Sequence, residues 1–295
     1  MAIFVIFARI WAGALCFAKP LYASQNVANS RNVMRNAQKT VENMNKKHLT
    51  NFFLYDILQY MENNTLYKDI FTRELQKFLE TILSYVSTSN GQWSIKGFID
   101  IYKNIYTISS DTKIVSKILE IHLFPKILEF AEQHNYKIVL ADHQNYYPDI
   151  SFIDKANENI KFAVDFKTTY RNPENNELCN GFTLGSHGEY FINRASRKNI
   201  QFPYEEYLGH FCLGIIYDRV ESRKIDETAS YKIEHLKSIP SVVRNFDFFI
   251  VEKWKIASDK SGSGNTANIG SINNIKDIKN GNGIFSKLGE DWFDD

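Results

Sequence analysis

The chain has 295 residues, 44% of them hydrophobic and 23% charged, a balance that excludes a disordered or fibrous protein and suffices for one large core or two small ones. With 35 basic residues against 34 acidic ones the formal net charge is +1, so no global field draws in a polyanion and any nucleic-acid binding must come from local patches and loops. The three cysteines, Cys16, Cys179 and Cys212, are odd in number and unpatterned; they indicate neither a disulfide framework nor a zinc site and suit a reducing, cytoplasmic setting.

Residues 1–23 are apolar and end near Leu21-Tyr22-Ala23. They read as a signal-like segment, or as a stretch preceding a true start at Met34, Met44 or Met61; the missing basic n-region and the interrupting Arg9 speak against a signal peptide. Residues 24–50 are polar, Asn-rich and without periodicity, as in a linker or tail. From Ile70 the pattern sharpens. Phe71, Leu75, Phe78, Leu79, Ile82, Leu83 and Val86 recur at helical spacing, with Arg73, Glu74, Lys77 and Glu80 outside the stripe, which predicts an amphipathic helix ending near residues 87–91. Residues 93–108 mix aromatic and β-branched types suited to short strands, either a dimerisation surface or ordinary core. Ser110-Asp111-Thr112-Lys113 then opens a second helix, carried by Ile114, Val115, Ile118, Leu119 and Leu123, with Ser110 or Asp111 as N-cap. Pro125 should kink or interrupt it before Ile127, Leu128, Phe130 and Ala131 continue the apolar face. Glu120 lies on this helix, where a lone Glu is ordinarily a solvated residue. The expected divisions are an extension over 1–65, a helix with short strands over 66–109, and a main domain over 110–295.

A short strand over residues 136–141 leads to the stretch on which the functional reading turns. Tyr146-Tyr147-Pro148-Asp149-Ile150-Ser151-Phe152-Ile153 and Phe162-Ala163-Val164-Asp165-Phe166-Lys167-Thr168-Thr169-Tyr170 flank a polar cluster at 154–159 and read as a β-hairpin. Period-2 alternation places Phe162, Val164 and Phe166 on one face and Ala163, Asp165 and Lys167 on the other. If Asp149 comes level with Asp165, two carboxylates and a lysine converge, a divalent-metal site with a cation beside it; the plainer alternative is a surface hairpin with a solvated ion pair. Residues 210–220 are almost continuously apolar, as in a buried central strand, and residues 245–256 give another. The predicted fold is α/β (α+β), a mixed β-sheet flanked by helices. Residues 258–272 form a loop rich in Gly, Asn, Ser and Thr, which permits close backbone approach to a ligand but lacks a phosphate-loop ending; it is either a binding loop or a flexible surface loop.

Taken in order, Ser110-Asp111-Thr112-Lys113, Gln144-Asn145 with Tyr147-Pro148-Asp149, Asp165 through Tyr170, Phe182-Thr183-Leu184-Gly185 and Gly262-Ser263-Gly264-Asn265-Thr266 through Asn268-Ile269-Gly270-Ser271-Ile272 resemble the EcoRV-like type II restriction endonucleases of the PD-(D/E)XK nuclease superfamily. The resemblance spans residues 70–285, most closely after 107. It implies a restriction-endonuclease-like fold in which Asp149, Asp165 and Glu120 bind the metal and, with Lys167, form the catalytic set. It further implies that Gln144 and Asn145 approach the minor groove, and that Gly262, Ser263, Gly264, Asn265, Thr266 and Ala267 read the major groove, with Asn268 just beyond. The cofactor would be Mg²⁺, with Mn²⁺ as a substitute. The partners would be double-stranded DNA, a second copy of the chain and a cognate DNA methyltransferase, with no membrane. Cleavage is expected at a palindrome resembling GATATC, leaving 5′-phosphate blunt ends. Departures are Ala267 where the family pattern has Thr, one extra residue around Gly188 and Glu189, and an end at Asp295 that reads as a C-terminal truncation. The alternatives are an inactive or truncated DNA-binding relative and a repair or junction-resolving nuclease of the same fold.

Overall fold

The structure, a computed structural model, describes residues 47–295 except 144, 187–194, 221–225, 227, 263–267 and 291–295, and of residues 47–63, 186 and 261 only the backbone. The elements in chain order are α1 (Lys47–Val86), β1 (Gly97–Ile99), β2 (Asn104–Thr107), α2 (Thr112–Gln133), β3 (Tyr136–Leu140), β4 (Ile150–Asp154), β5 (Lys161–Asn172), β6 (Asn175–Cys179), β7 (Thr183–Ser186), β8 (Gly209–Arg219), β9 (Ser230–Lys232), β10 (Val243–Glu252), β11 (Ala257–Ser261), β12 (Asn268–Ser271) and α3 (Ile275–Asn280). The predicted first helix is present but longer than its apolar stripe. No Gly or Pro occurs between Lys47 and Val86, so nothing breaks the helix, and it runs without interruption through part of the expected linker and across the expected boundary at 65/66. The rest of the expected N-terminal segment lies outside the described residues. Gly91, at φ 76°, makes the turn that ends this region. Asp111 caps α2, its carboxylate accepting from the N–H groups of Lys113 and Ile114, and the helix continues through Pro125 instead of breaking there. The buried face of Leu119, Leu123, Ile127 and Phe130 holds it to the sheet across the missing backbone bond.

The main sheet has six strands in the order β10-β8-β5-β4-β3, with β6 paired to β5 beyond this path. Its centre is the parallel pair β5/β8; β3/β4, β4/β5 and β8/β10 are antiparallel, the mixed sheet that the sequence predicts. One sheet face, with Phe152, Phe162, Val164, Phe166, Phe211, Leu213 and Ile215, meets α1 and α2 in the larger core. Phe71 of α1 is central there: its ring stacks on Phe162 at 4.1 Å and meets Tyr136 and Phe152 edge-on at 5.3 and 5.4 Å. The opposite face carries Cys212, Ile216, Phe249 and Val251 beneath a second cluster that includes Phe182, Leu184, Ile256 and Ile278. Over this face lies a small sheet of order β11-β12-β7, and a third sheet, β1-β2-β9, stands apart. The last part of the predicted strand over 245–256 is different: after Glu252 the chain enters a 3₁₀ turn, Lys253–Ile256. Among the described residues no helix is long and apolar enough to cross a membrane.

Candidate active site

The β4/β5 hairpin forms as its alternation predicts. Its loop is closed by Asp154, whose carboxylate accepts from the N–H groups of Ala156 and Asn157. The register pairs Ile150 with Val164, which brings Asp149 beside Asp165 at the next position. Asp149 N–H donates to Asp165 Oδ1 at 3.4 Å, and Phe166 N–H donates to Asp149 Oδ2 at 2.7 Å. Lys167 Nζ lies 2.8 Å from Asp165 Oδ2. The two acids and the lysine therefore converge, and the solvated ion pair of a surface hairpin is not what forms: Asp165 is only 5% exposed.

Burial pushes the Asp149 carboxyl up to about 6, and the charge of Asp165 pushes in the same direction. Asp165 shifts the other way. Burial alone would raise it, but the Lys167 and Lys253 ammoniums outweigh burial and hold it below the usual carboxylate range. Burial likewise disfavours the charge on Lys167, yet Asp165 and Asp149 raise its pKa above that of a free lysine, so the ammonium stays charged. Cys212, opposite Asp165 on β8, is pushed up to about 12 by burial; it is a neutral wall of the site and not a nucleophile.

The pair Asp149 and Asp165 offers hard oxygen donors, and among the described residues no group of three or more His, Cys, Asp or Glu side chains is placed to enclose a metal. That donor set suits an ion of the Mg²⁺ kind, which takes one or two carboxylates and completes its shell with water and phosphate oxygens. It does not suit a closed protein cage. Glu120 is not brought into such a cluster: its Oε1 pairs with Lys117 one turn back on α2 at 2.7 Å, although its charge still reaches Asp149. An acid pair with a charged ammonium can hold a divalent cation against a phosphate and stabilise the anion formed when that phosphate is attacked.

Of the residues expected to touch DNA, Asn145 lies exposed in the turn before Asp149, while Gln144, Ser263, Gly264, Asn265, Thr266 and Ala267 lie outside the described residues. Their frame is described. The described parts of the stretch over 258–272 include the paired strands β11 and β12, docked through β12 on β7. Gly262 is committed to that frame: its N–H donates to Asn268 O at 2.8 Å and its carbonyl accepts from Thr183 Oγ1 at 3.0 Å. It is glycine because a Cβ there would meet Ile269 O at 2.7 Å and the Gly270 Cα at 3.0 Å.

One charged residue beside Asp165 escapes the sequence reading. Lys253 Nζ lies 3.5 Å from Asp165 Oδ2 and 4.0 Å from the centre of the Tyr147 ring. The available signal was a lysine directly after an apolar strand, a pattern that ordinarily marks a solvated strand end.

A sequence model of the family described as restriction endonuclease EcoRV matches residues 89–295. The type II restriction enzyme EcoRV of Escherichia coli is 38% identical over 210 residues, which are 71% of this chain and 84% of that enzyme. The acid pair, its lysine and the hairpin docked beside them all fall within the matched residues, and the chain belongs to the EcoRV family of type II restriction endonucleases, the site-specific deoxyribonucleases.

Proposed function

We propose that this chain is a Mg²⁺-dependent endonuclease that cuts double-stranded DNA at a palindrome resembling GATATC and leaves 5′-phosphate blunt ends. The observation that carries the reading is the convergence of Asp149, Asp165 and Lys167 on the sheet face covered by the β11/β12 pair, whose strands are joined in the sequence through Ser263, Gly264, Asn265, Thr266 and Ala267. Asp149 and Asp165 would hold the ion, with Mn²⁺ able to replace Mg²⁺. When bound, such an ion lowers the pKa of a water molecule and neutralises phosphate charge. The protein's own part is to fix and polarise. Phe166 N–H orients the Asp149 carboxylate, Asp165 keeps Lys167 protonated, and the Lys167 ammonium stabilises the negative charge that grows on the attacked phosphate. Glu120 adds negative charge at the edge of this site.

Sequence reading belongs to the hairpin tip. Asn265 is of the type that makes a bidentate contact with adenine, worth about 1–3 kcal/mol of discrimination. The turn bearing Gln144 and Asn145 would approach the minor groove, and Asn268, in β12, would support the tip from its base. With a net charge of +1, bulk attraction adds little, and base contacts with DNA deformation carry the specificity. A palindrome calls for two copies of the chain related by a two-fold axis, each reading one half-site. A methyltransferase of matching specificity is the expected companion, since the host's own sites need protection.

A plasmid with a single GATATC site, incubated with Mg²⁺ or with EDTA, tests this reading. One Mg²⁺-dependent double-strand cut at the site, absent in Asp149→Ala, is expected. A cut elsewhere would retain the chemistry and reassign the specificity. Specific binding without any cut would leave an inactive DNA-binding relative.

A further inference from the structure

Lys253 reaches the acid pair from outside the β4/β5 hairpin. It opens the 3₁₀ turn after β10 and is 4% exposed, wedged between Asp165 and the face of Tyr147. The surroundings are anchored: Tyr147 OH is hydrogen-bonded to His210 Nδ1 at 2.8 Å, and Glu252, next to Lys253 in the chain, is paired with Lys68 of α1 at 2.8 Å. A buried ammonium is retained only where it is partnered, and the partner here is a carboxylate oxygen that already holds Lys167 at 2.8 Å. The acid pair thus faces two ammoniums, and the four charges cancel. A divalent cation entering this neutral, mostly dry cluster adds two positive charges beside two others. The addition is favourable when negative charge arrives with it, and a DNA phosphate is that charge.

We propose that Lys253 is a positioning residue that holds Asp165 in the free protein and suppresses divalent-metal binding until DNA supplies a phosphate. This rests on the reading of Asp149 and Asp165 as the metal ligands. The coupling is reciprocal, so metal also strengthens DNA binding by the factor through which DNA strengthens metal binding. The device disfavours a metal-loaded site away from DNA.

The test is calorimetric titration of the full chain with Mn²⁺ in the absence of DNA, for the wild type and for Lys253→Met, Lys253→Gln and Lys253→Arg, each first checked for cooperative melting. The two neutral variants are expected to bind Mn²⁺ about tenfold more tightly than the wild type, and Lys253→Arg to match it. Lys253→Gln keeps a donor to Asp165, so it serves should Lys253→Met fail to fold. Folded neutral variants that bind Mn²⁺ no more tightly than the wild type overturn the proposal, even if they melt earlier, because a purely structural lysine changes stability and not the isotherm. Adding Asp149→Ala to the tightest binder separates the two readings: lost binding keeps the metal site and leaves only Lys253 on trial, whereas undiminished binding removes Asp149 as a ligand.

Discussion

Asp149 and Asp165 are adjacent carboxylates that titrate in opposite directions, and this asymmetry gives the free protein a recognisable pH signature. Burial and the Asp165 charge raise Asp149 from the usual 3.8 to about 6. A folded value above the unfolded one means that the contribution of Asp149 to stability is full below about pH 4 and is lost as the pH rises through about 6. Asp149→Asn removes that loss while its amide oxygen can still accept from Phe166 N–H. The variant should therefore be more stable than the wild type above pH 6 by about 1–3 kcal/mol and equal to it near pH 4, as read by metal-free thermal melts across that range. An equal shift at both pH values would mean that Asp149 is already ionised without cost. Asp165 has the opposite sign: with its folded value depressed, its contribution is present at neutral pH and is lost only as the pH falls below the ordinary carboxylate range. Lys167→Met leaves Asp165 with Lys253 alone; it should abolish cleavage and lower stability at pH 7 by about 3–5 kcal/mol, the usual loss when a buried pair is broken. Three of the four charges were legible in the sequence because strand alternation fixes which side chains share a face, with Asp165 and Lys167 on β5 and Asp149 immediately before its hairpin partner β4. Lys253 was not, because it lies 88 residues from Asp165 and meets it only through the order of the sheet.

At the scale of elements, two glycines set how closely strands approach the site. Gly214 on β8 faces Lys167 in register, and a Cβ there would fall 1.8 Å from Phe249 Cζ, so that ring occupies the space a side chain would take. Gly214→Ala must move Phe249 or the strand itself. A loss of about 1–3 kcal/mol is expected from overpacking, with slower cleavage because β8 supports Asp165 and Lys167; chemical denaturation and single-turnover rates measure the two effects. Gly270 performs the same service in the β11/β12 hairpin, where a Cβ would meet Lys260 O at 2.7 Å and Gly262 Cα at 3.1 Å. Gly270→Val should splay the hairpin and lose sequence-specific DNA binding while leaving Mn²⁺ binding at the acid pair intact. Specific binding at wild-type affinity would show that the tip does not depend on this frame. The main strands were legible because each carries enough apolar residues to show its period. The small sheet β11-β12-β7 was not, because its strands are short and rich in Gly and Ser, and their pairing is supplied by β7, some eighty residues upstream. The extra length of α1 escaped for a different reason: polar, Asn-rich composition reads as linker, but without a breaking residue a helix continues.

At the scale of the whole molecule, the described surface carries a grouping of apolar side chains that the core does not use. Phe98 is 57% exposed, Ile99 58%, Ile101 87% and Tyr102 75%, all on or beside the β1/β2 turn, with Tyr106 also exposed. The turn is built to hold them outward. The Asp100 carboxylate accepts from the N–H groups of Tyr102 and Asn104, from Asn104 Nδ2 and from Tyr106 OH, which fixes the tip without burying it. Grouped, rigid and apolar exposure of this kind marks a surface that another protein covers. The proposed cleavage of a palindrome needs two acid pairs, one per strand, and a two-fold related copy of the chain would supply the second; this turn is the surface proposed for that pairing. Ile101→Asp with Tyr102→Ser places charge and polarity there without touching the Asp100 contacts. Sedimentation at micromolar concentration should give the wild type twice the 34.3 kDa mass of the chain and the double variant the single mass. Mn²⁺ binding should persist in the monomer, since Asp149 and Asp165 both come from one chain, while double-strand cutting of the plasmid falls away. A double variant that remains dimeric and cuts both strands would move the interface elsewhere on the surface.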